Sequence, residues 1–217
     1  MNKIKIVFIT GNENKCKEVN AILGINLFSV INIKLDLPEI QSMNVVDVIN
    51  EKIKITLQLA INNFNEIIEK FKLRGEIVSS INDVIILCED TGLTIKNMNN
   101  FPGALIKFYY ESIGNKGISE RDGGSLSIAI CVIGIILYGK IHHPIIGTQS
   151  GSIAYKPTGD NGFGWDQIFI PDLSLKEYNE YTYLNGKTYA ELDKNIKDNI
   201  SHRSIAFNML KKIITAI

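Results

Sequence analysis

The chain has 217 residues, of which 45% are hydrophobic and 21% are charged. This size and composition allow one substantial core, so we expect a single domain over residues 1–217. Lysine plus arginine (23) balances aspartate plus glutamate (23), which excludes a global positive field that would hold a nucleic-acid backbone. An anionic ligand must be met by local cations, which favours a small substrate and no nucleic-acid partner.

The cysteines and the apolar runs indicate the compartment. Cys16, Cys88 and Cys131 show no CxxC spacing, and two of them lie in apolar stretches, as is typical of free thiols in a reducing compartment. The longest apolar run, Leu126 to Leu137, is shorter than the roughly 20 residues that span a bilayer. The sequence therefore predicts a soluble, cytoplasmic protein without a membrane partner.

Strand and helix patterns alternate along the chain. Runs rich in β-branched residues and bounded by Gly, Asn or Asp predict strands at Lys3–Thr10, Val30–Leu35, Val84–Glu89, Ser125–Tyr138 and Ile145–Ala154. Apolar residues with a period near 3.6 predict helices at Lys15–Leu23, Val45–Phe71 and Ser201–Ile214, the last with Ser201 as its N-cap. The polar stretch 62–82 predicts a helix end followed by a surface insertion. This order of elements indicates a mixed α/β fold with a large sheet.

The junction between the first strand and the first helix reads Thr10-Gly11-Asn12-Glu13-Asn14-Lys15. Such junctions bind phosphate in α/β proteins, because the free N–H groups of a helix start favour anions. Gly11 permits a sharp turn, and Lys15 adds an ammonium group. Small polar side chains come from Thr10 and Asn12. The segment is neither GxxxxGK[ST] nor GxGxxG, so an ordinary strand-to-helix turn is the alternative.

Carboxylates occur near two further strands. Glu89 and Asp90 end the apolar run Val84–Cys88, and Glu39 ends the segment 36–39. Carboxylates at the carboxyl edge of a sheet, facing a phosphate loop, suit a hard cation that is bound through oxygen. The alternative is that they belong to solvated acidic turns.

Aromatic residues surround a glycine in the segment 162–166. Phe163 and Trp165 flank Gly164, which removes side-chain bulk and leaves room for a flat ring that hydrogen-bonds to Asp166. A glycine-kinked strand with core aromatics is the alternative.

Two histidine segments carry different predictions. His202 and Arg203, at the predicted start of the last helix, supply donors for a keto oxygen or a phosphate, with an ordinary surface helix as the alternative. His142 and His143 predict a hairpin tip, and no metal-ligand spacing accompanies them.

Five motifs in chain order resemble the signatures of the inosine triphosphate pyrophosphatase family, which removes non-standard purine nucleotides. They are TGNENK, LCEDTGL, FPG followed by IKFY, GFGWD, and TYAEL with ISHR. The resemblance runs nearly end to end, and the segments DLPEIQ and GFGWD are similar to those of eukaryotic members. It implies an α/β fold of that family's type, with a large, mixed, twisted sheet flanked by helices and two lobes around a central cleft.

The resemblance also implies a role for each matched residue. Asp90 would position or deprotonate the attacking water, with Glu89 and Lys15 as further catalytic residues. Glu39 and Glu89 would hold Mg2+, for which Mn2+ can substitute. The residues implied for the triphosphate are Thr10, Gly11, Asn12, Lys15, Lys52 and Lys197. Lys54 is the alternative to Lys52 for the match to the family's phosphate-binding lysine. Those implied for the base are Phe163, Gly164, Trp165, Asp166, His202 and Arg203, with Lys107 as a further nucleotide contact.

The implied reaction converts ITP, dITP or XTP to the monophosphate and pyrophosphate by metal-assisted water attack at the α-phosphorus. Hypoxanthine offers a keto acceptor where adenine offers an amino donor, so Arg203 would favour ITP over ATP. Two alternatives stay open, a Maf-like pyrophosphatase with another nucleotide preference and a catalytically silent purine nucleotide sensor. The resemblance further implies a homodimer, with the aromatic segment Phe101–Tyr110 as a candidate interface.

Overall fold

The structure is a computed structural model that describes residues 3–35 and 37–216. Within these residues seven strands form one sheet, and they are β1 (Ile4–Ile9), β2 (Phe28–Ile33), β3 (Ile85–Ile95), β4 (Pro102–Gly103), β5 (Leu126–Leu137), β6 (Lys140–Ile153) and β7 (Phe169–Pro171). Their order is β2-β1-β3-β5-β6-β7, with β4 paired to β3. The neighbours β2 and β3 run parallel to β1, whereas β4 to β7 pair antiparallel. The predicted mixed α/β sheet is confirmed.

Helices cover both faces of this sheet. They are α1 (Glu13–Leu23), α2 (Val45–Asn62), α3 (Phe64–Lys72), α4 (Ile106–Asp122), α5 (Lys194–Ile200) and α6 (His202–Thr215). The central strand β1 is buried on both sides, because Ile6 and Phe8 pack in the cluster with α1 and α6 while Val7 and Ile9 pack in the cluster with α2 and α3. Burial on both faces requires apolar side chains at successive positions, which explains the continuous apolar run in the sequence of β1.

A third apolar cluster forms a second lobe. It joins the far end of β3 to α4, β7 and the irregular segment that follows β7, with Leu93, Tyr109, Phe169 and Tyr189 among its buried members. The cleft that carries the site described below lies between this cluster and the carboxyl ends of β1 and β2. The two-lobed arrangement with a central cleft agrees with the sequence-based expectation.

Several predicted strand boundaries were wrong, including the start of β6, which is Lys140 and not the predicted Ile145. β3 does not end at Glu89 but continues to Ile95, because its second half pairs antiparallel with β5. The strand β2 begins at Phe28 and ends at Ile33, two residues before the predicted Val30–Leu35 at each end. The tip of the β5–β6 hairpin lies at Tyr138 and Gly139, which both have positive φ, so that the predicted tip residues 142–143 belong to β6.

The predicted helix Val45–Phe71 is two helices separated at Asn63. The stretch 62–82, predicted as a helix end and surface insertion, is only partly at the surface. Ile67 and Phe71 of α3 are fully buried in the cluster that contains α2. The spacing of these two residues, one helical turn apart, gives α3 an apolar face that packs against the sheet.

The aromatic segment predicted as a candidate interface is only partly exposed. Its Pro102 and Gly103 form β4, and Tyr109 is buried with its ring 5.4 Å from that of Phe101. Of its aromatic residues, Phe108 alone is strongly exposed, and it lines the cleft. No helix among residues 3–35 and 37–216 has the length and apolar character needed to cross a membrane.

Candidate active site

The predicted phosphate loop follows β1 and is held by its own side chains. Asn12 is the N-cap of α1, and its Oδ1 accepts hydrogen bonds from the backbone N–H groups of Asn14 (3.0 Å) and Lys15 (3.2 Å). The hydroxyl of Thr10 accepts from the N–H of Asn12 at 3.1 Å. The Asn12 cap places the start of α1 two residues before the predicted Lys15 and fixes the direction in which the Lys15 side chain leaves the helix.

The carboxylate pair lies beside this loop. The pairing of β1 with β3 ends at Ile9 and Cys88, so the next two residues of β3 face the loop that leaves β1. Lys15 Nζ is 3.2 Å from Glu89 Oε2 and 3.9 Å from Asp90 Oδ1. The predicted proximity of acidic pair and loop therefore holds, although the pair lies within a strand and not at its end.

A second lysine and a second carboxylate lie across the cleft. Lys52, on α2, is buried and donates a hydrogen bond to Oε1 of Glu39. Lys54 is exposed and pairs with Glu51 on the outer side of the same helix. Of these two lysines, Lys52 lines the cleft and Lys54 does not. Asp36, in the segment that contains Glu39, lies outside the described residues.

Beneath the acidic pair, Arg203 connects two buried carboxylates. Its Nη1 donates to Oε2 of Glu18, and its Nη2 donates to Glu89 Oε1 at 3.0 Å and to the Thr91 hydroxyl at 2.9 Å. Thr91 in turn donates to Glu89 Oε1 at 2.6 Å. Arg203 is 2% exposed, so these ion pairs are shielded from water and fix the orientation of Glu89.

Glu18 also binds the second buried cation, Lys197. Lys197 Nζ lies 2.8 Å from Glu18 Oε1 and 2.6 Å from Asp166 Oδ2, and it stands 5.0 Å from the centre of the Phe163 ring. Asp166 Oδ2 accepts a further hydrogen bond from the backbone N–H of Phe163 at 2.7 Å. Lys197, predicted as a phosphate contact, thus lies behind Asp166 in a buried ion-pair network.

The aromatic part of the site is a stack of rings. The centre of the His202 imidazole lies 5.3 Å from the ring centre of Trp165 and 6.1 Å from that of Tyr189, and the His202 and Tyr189 rings are nearly parallel. Both ring nitrogens of His202 lack a hydrogen-bond partner within the described part of the chain, and so does Nε of Arg203. Buried polar groups without a partner are uncommon, and these line a cleft that can admit a ligand.

The cleft encloses about 930 Å³. Every predicted site residue except Lys197 lines it, and they are Thr10, Gly11, Asn12, Lys15, Glu39, Lys52, Glu89, Asp90, Lys107, Phe163, Gly164, Trp165, Asp166, His202 and Arg203. Residues as far apart in sequence as Thr10 and Arg203 therefore meet in one cavity, whose volume suits a nucleotide-sized ligand.

Burial and neighbouring charges shift the pKa values of the two carboxylates of the pair in opposite directions. Burial raises the pKa of Asp90, and Glu39 and Glu89 raise it further against the opposing effect of Lys15 and Lys52. Burial acts in the same direction on Glu89, but Arg203 and Lys15 outweigh it and hold the pKa of Glu89 well below its usual range. Two neighbouring acids with opposite pKa shifts suit different roles, one as a proton acceptor and one as a permanent anion.

The imidazole of His202 is neutral at physiological pH. Burial lowers its pKa well below the ordinary value, and Arg203 and Lys197 lower it further. A neutral imidazole presents one N–H donor and one acceptor nitrogen.

Four residues of the site were missed by the sequence reasoning: Glu18, Lys34, Thr91 and Tyr189. Glu18 stands one helical turn after Lys15, which places both side chains on the same side of α1, and this spacing was the available signal. Lys34 follows β2 directly and lines the cleft. Thr91 and Tyr189 lie within the recognised motifs LCEDTGL and TYAEL.

The carboxylates of the cleft fit a hard cation that is bound mainly by its substrate. No group of three or more His, Cys, Asp or Glu side chains is placed to hold a metal ion in the described ranges. Mg2+ usually takes only one or two protein carboxylates and completes its shell with phosphate oxygens and water. Glu89 Oε2 is buried and accepts no hydrogen bond from a described residue, but it lies 3.2 Å from Lys15 Nζ, so a cation at this oxygen would compete with Lys15.

The mixed sheet, the capped loop after β1 and the adjacent acidic pair are features of α/β proteins that bind phosphate groups at the carboxyl ends of parallel strands. The chain belongs to the Ham1 family, whose profile matches residues 6–213.

Curated relatives match over nearly their whole length. An inosine triphosphate pyrophosphatase of Podospora anserina is 36% identical over 216 residues, covering 96% of this chain and 93% of the relative. The inosine triphosphate pyrophosphatase of Batrachochytrium dendrobatidis is 32% identical, with 95% and 92% covered. A dITP/XTP pyrophosphatase of Ignicoccus hospitalis is 29% identical, with 96% and 95% covered. The solved structure of the Staphylococcus aureus Ham1 protein superposes with a TM-score of 0.63 at 24% identity over 98% of both chains, which supports the fold.

Proposed function

We propose that this protein is a Mg2+-dependent nucleoside triphosphate pyrophosphatase that hydrolyses ITP, dITP and XTP to the monophosphate and pyrophosphate. The observation that carries the proposal is the position of Lys15, 3.2 Å from Glu89 and 3.9 Å from Asp90 at the end of the phosphate loop. The names of the relatives support the same reaction. They give no support to a Maf-like preference or to a silent sensor.

The raised pKa of Asp90 supports its assignment as the base. Asp90 accepts a proton from water while the water oxygen bonds to the α-phosphorus. The bond from that phosphorus to the bridging oxygen breaks, and pyrophosphate leaves. Lys15 and Lys52 line the same cleft and neutralise charge on the phosphates. Mg2+, held by Glu89 and Glu39, would supply further charge neutralisation and orient the triphosphate.

We assign recognition of the base to the end of the cleft that is lined by Trp165, His202 and Arg203. Neutral His202 offers one N–H donor, and Arg203 Nε is a buried donor without a partner among the described residues. A keto oxygen at the purine 6-position satisfies such donors. The amino group of adenine would leave them unpaired, and each buried unpaired group costs about 1–3 kcal/mol. Trp165 supplies a flat surface against which a base stacks.

Product identification tests the reaction. With ITP as substrate, we expect IMP and pyrophosphate in equal amounts, and no product when a chelator removes divalent cations. Release of IDP and inorganic phosphate would place the attack at the terminal phosphate and contradict the proposed reaction. Unreacted ITP that binds tightly would identify a sensor.

The proposal extends to a single-domain, cytoplasmic homodimer. The three free thiols of Cys16, Cys88 and Cys131 are compatible with a reducing compartment. A strip of exposed apolar side chains on neighbouring strands, Leu126, Ile128 and Ile146, supports an interface between two copies. Light scattering distinguishes the dimer from a monomer of 24.3 kDa.

A further inference from the structure

Lys34 lies directly beside the phosphate loop. β2 is paired with β1 up to Ile33 and Ile9, so the residue that leaves β2 stands next to the loop that leaves β1. A Cβ atom added to Gly11 would lie 3.7 Å from Lys34 Cε and 3.8 Å from Lys34 Cγ. The aliphatic part of Lys34 therefore runs along the loop, and the side chain lines the cleft.

The charge of Lys34 is not neutralised by the described part of the protein. Among the other cations that line the cleft, Lys15, Lys52 and Arg203 are each within 4 Å of a carboxylate. Neither Lys34 nor Lys107 has an ion pair or a side-chain hydrogen bond with a described residue, and Lys107 belongs to α4 in the other lobe. Among the described residues, Lys34 is thus the cation on the loop side without an ion pair, and an anion can bind it without displacing a described carboxylate.

The order of strands places Lys34 at the end of the cleft away from the base. Arg203, next to the aromatic stack, binds Glu89 on β3, the loop with Lys15 follows β1, and Lys34 follows β2. These strands are neighbours in the order β3-β1-β2. A triphosphate that starts at the base side and passes the acidic pair therefore reaches Lys34 last, two strand spacings of roughly 4.8 Å from β3.

We propose that Lys34 binds the terminal phosphates of the substrate, the part that leaves as pyrophosphate. The inference rests on the proposed function, because it assigns one residue to one part of that substrate. Lys34 adds a charge-assisted hydrogen bond to an oxygen of the leaving group.

Titration calorimetry with inorganic pyrophosphate in magnesium buffer tests this role without turnover. Lys34→Ala should weaken pyrophosphate binding about 10- to 100-fold, the usual effect of losing a hydrogen bond to a charged group. Lys34→Arg, which keeps the charge, should retain most of the affinity. Lys54→Ala, which removes an exposed lysine outside the cleft, should bind like the unmodified protein. Binding of IMP should be the same in all four proteins.

Three results would overturn the assignment: no pyrophosphate binding by the unmodified protein, equal affinity in Lys34→Ala and Lys54→Ala, or an equal loss of IMP binding in Lys34→Ala. Failure of the proposed function gives a different pattern. In that case the unmodified protein releases no pyrophosphate from ITP, while its affinity for added pyrophosphate still depends on Lys34, which supports the binding role alone.

Discussion

Asp90→Asn and Glu89→Gln should both abolish turnover but should change stability in opposite directions. For each variant we expect kcat with ITP to fall at least 100-fold, in the range of about 10²–10⁴-fold that general base catalysis contributes. In the protein without metal or nucleotide, Asp90→Asn should raise the melting temperature and Glu89→Gln should lower it.

The opposite signs follow from the opposite pKa shifts. The folded-state pKa of Asp90 lies above its value in the unfolded chain, so ionised Asp90 destabilises the fold, and this cost is present at neutral pH. The neutral amide of Asp90→Asn removes it. The pKa of Glu89 is lowered, so its stabilising contribution is fully present above the ordinary value of 4.5 and is lost as the pH falls through the folded-state pKa.

Glu89→Gln removes the anion between Arg203 and Lys15. Breaking a buried ion pair by removing one partner costs about 3–5 kcal/mol, because the remaining charge is left uncompensated. Differential scanning fluorimetry at pH 7, in the presence of a chelator, measures both variants. Glu120→Gln is the matched control, since Glu120 is an exposed acid on α4 and should change neither property. Equal destabilisation by Asp90→Asn and Glu89→Gln would contradict the assignment of separate roles.

Arg203→Lys should reduce both stability and base discrimination. The guanidinium uses two nitrogens to bind Glu18 and Glu89, and a single ammonium cannot reproduce that geometry. We expect a loss of about 3 kcal/mol in unfolding free energy, because a buried carboxylate loses its partner. The kcat/KM for ITP should fall about 10- to 100-fold, as expected for a lost hydrogen bond to a charged group.

The ratio of ITP to ATP turnover distinguishes recognition from stability. Arg203→Lys should lower this ratio, whereas a purely structural role would reduce both rates by the same factor. Arg121→Lys, a change at an exposed arginine of α4, is the control for the substitution itself. An unchanged ITP-to-ATP ratio in Arg203→Lys would show that Arg203 does not contact the base.

Local signals in the sequence identified much of the cleft. The segment from Thr10 to Lys15 was recognisable because strand, glycine turn and helix start are contiguous, and the structure confirms this order. The length of β3 was not recognisable. Glu89 and Asp90 interrupt its apolar run, yet the strand continues because Asp90 pairs with Val132 of β5, a partner far away in the sequence.

The buried ion pairs could not be derived from the sequence. Glu18 and Arg203 are 185 residues apart, and no local pattern links an acid in the first helix to an arginine in the last. Tertiary packing decides such pairs, because it brings α1 and α6 together on one face of the sheet. The burial of Lys197 behind Asp166 has the same origin, since only the assembled network of Glu18, Asp166 and Arg203 accommodates it.

Pyrophosphate release from ITP, XTP, GTP and ATP, measured side by side with Mg2+ and with a chelator, tests the central claim most directly. The proposed chemistry and base recognition predict rapid, metal-dependent release from ITP and XTP and little release from ATP. Equal release from ATP and ITP would contradict the role of His202 and Arg203 in reading the base, and no release from any of the four would contradict the pyrophosphatase assignment.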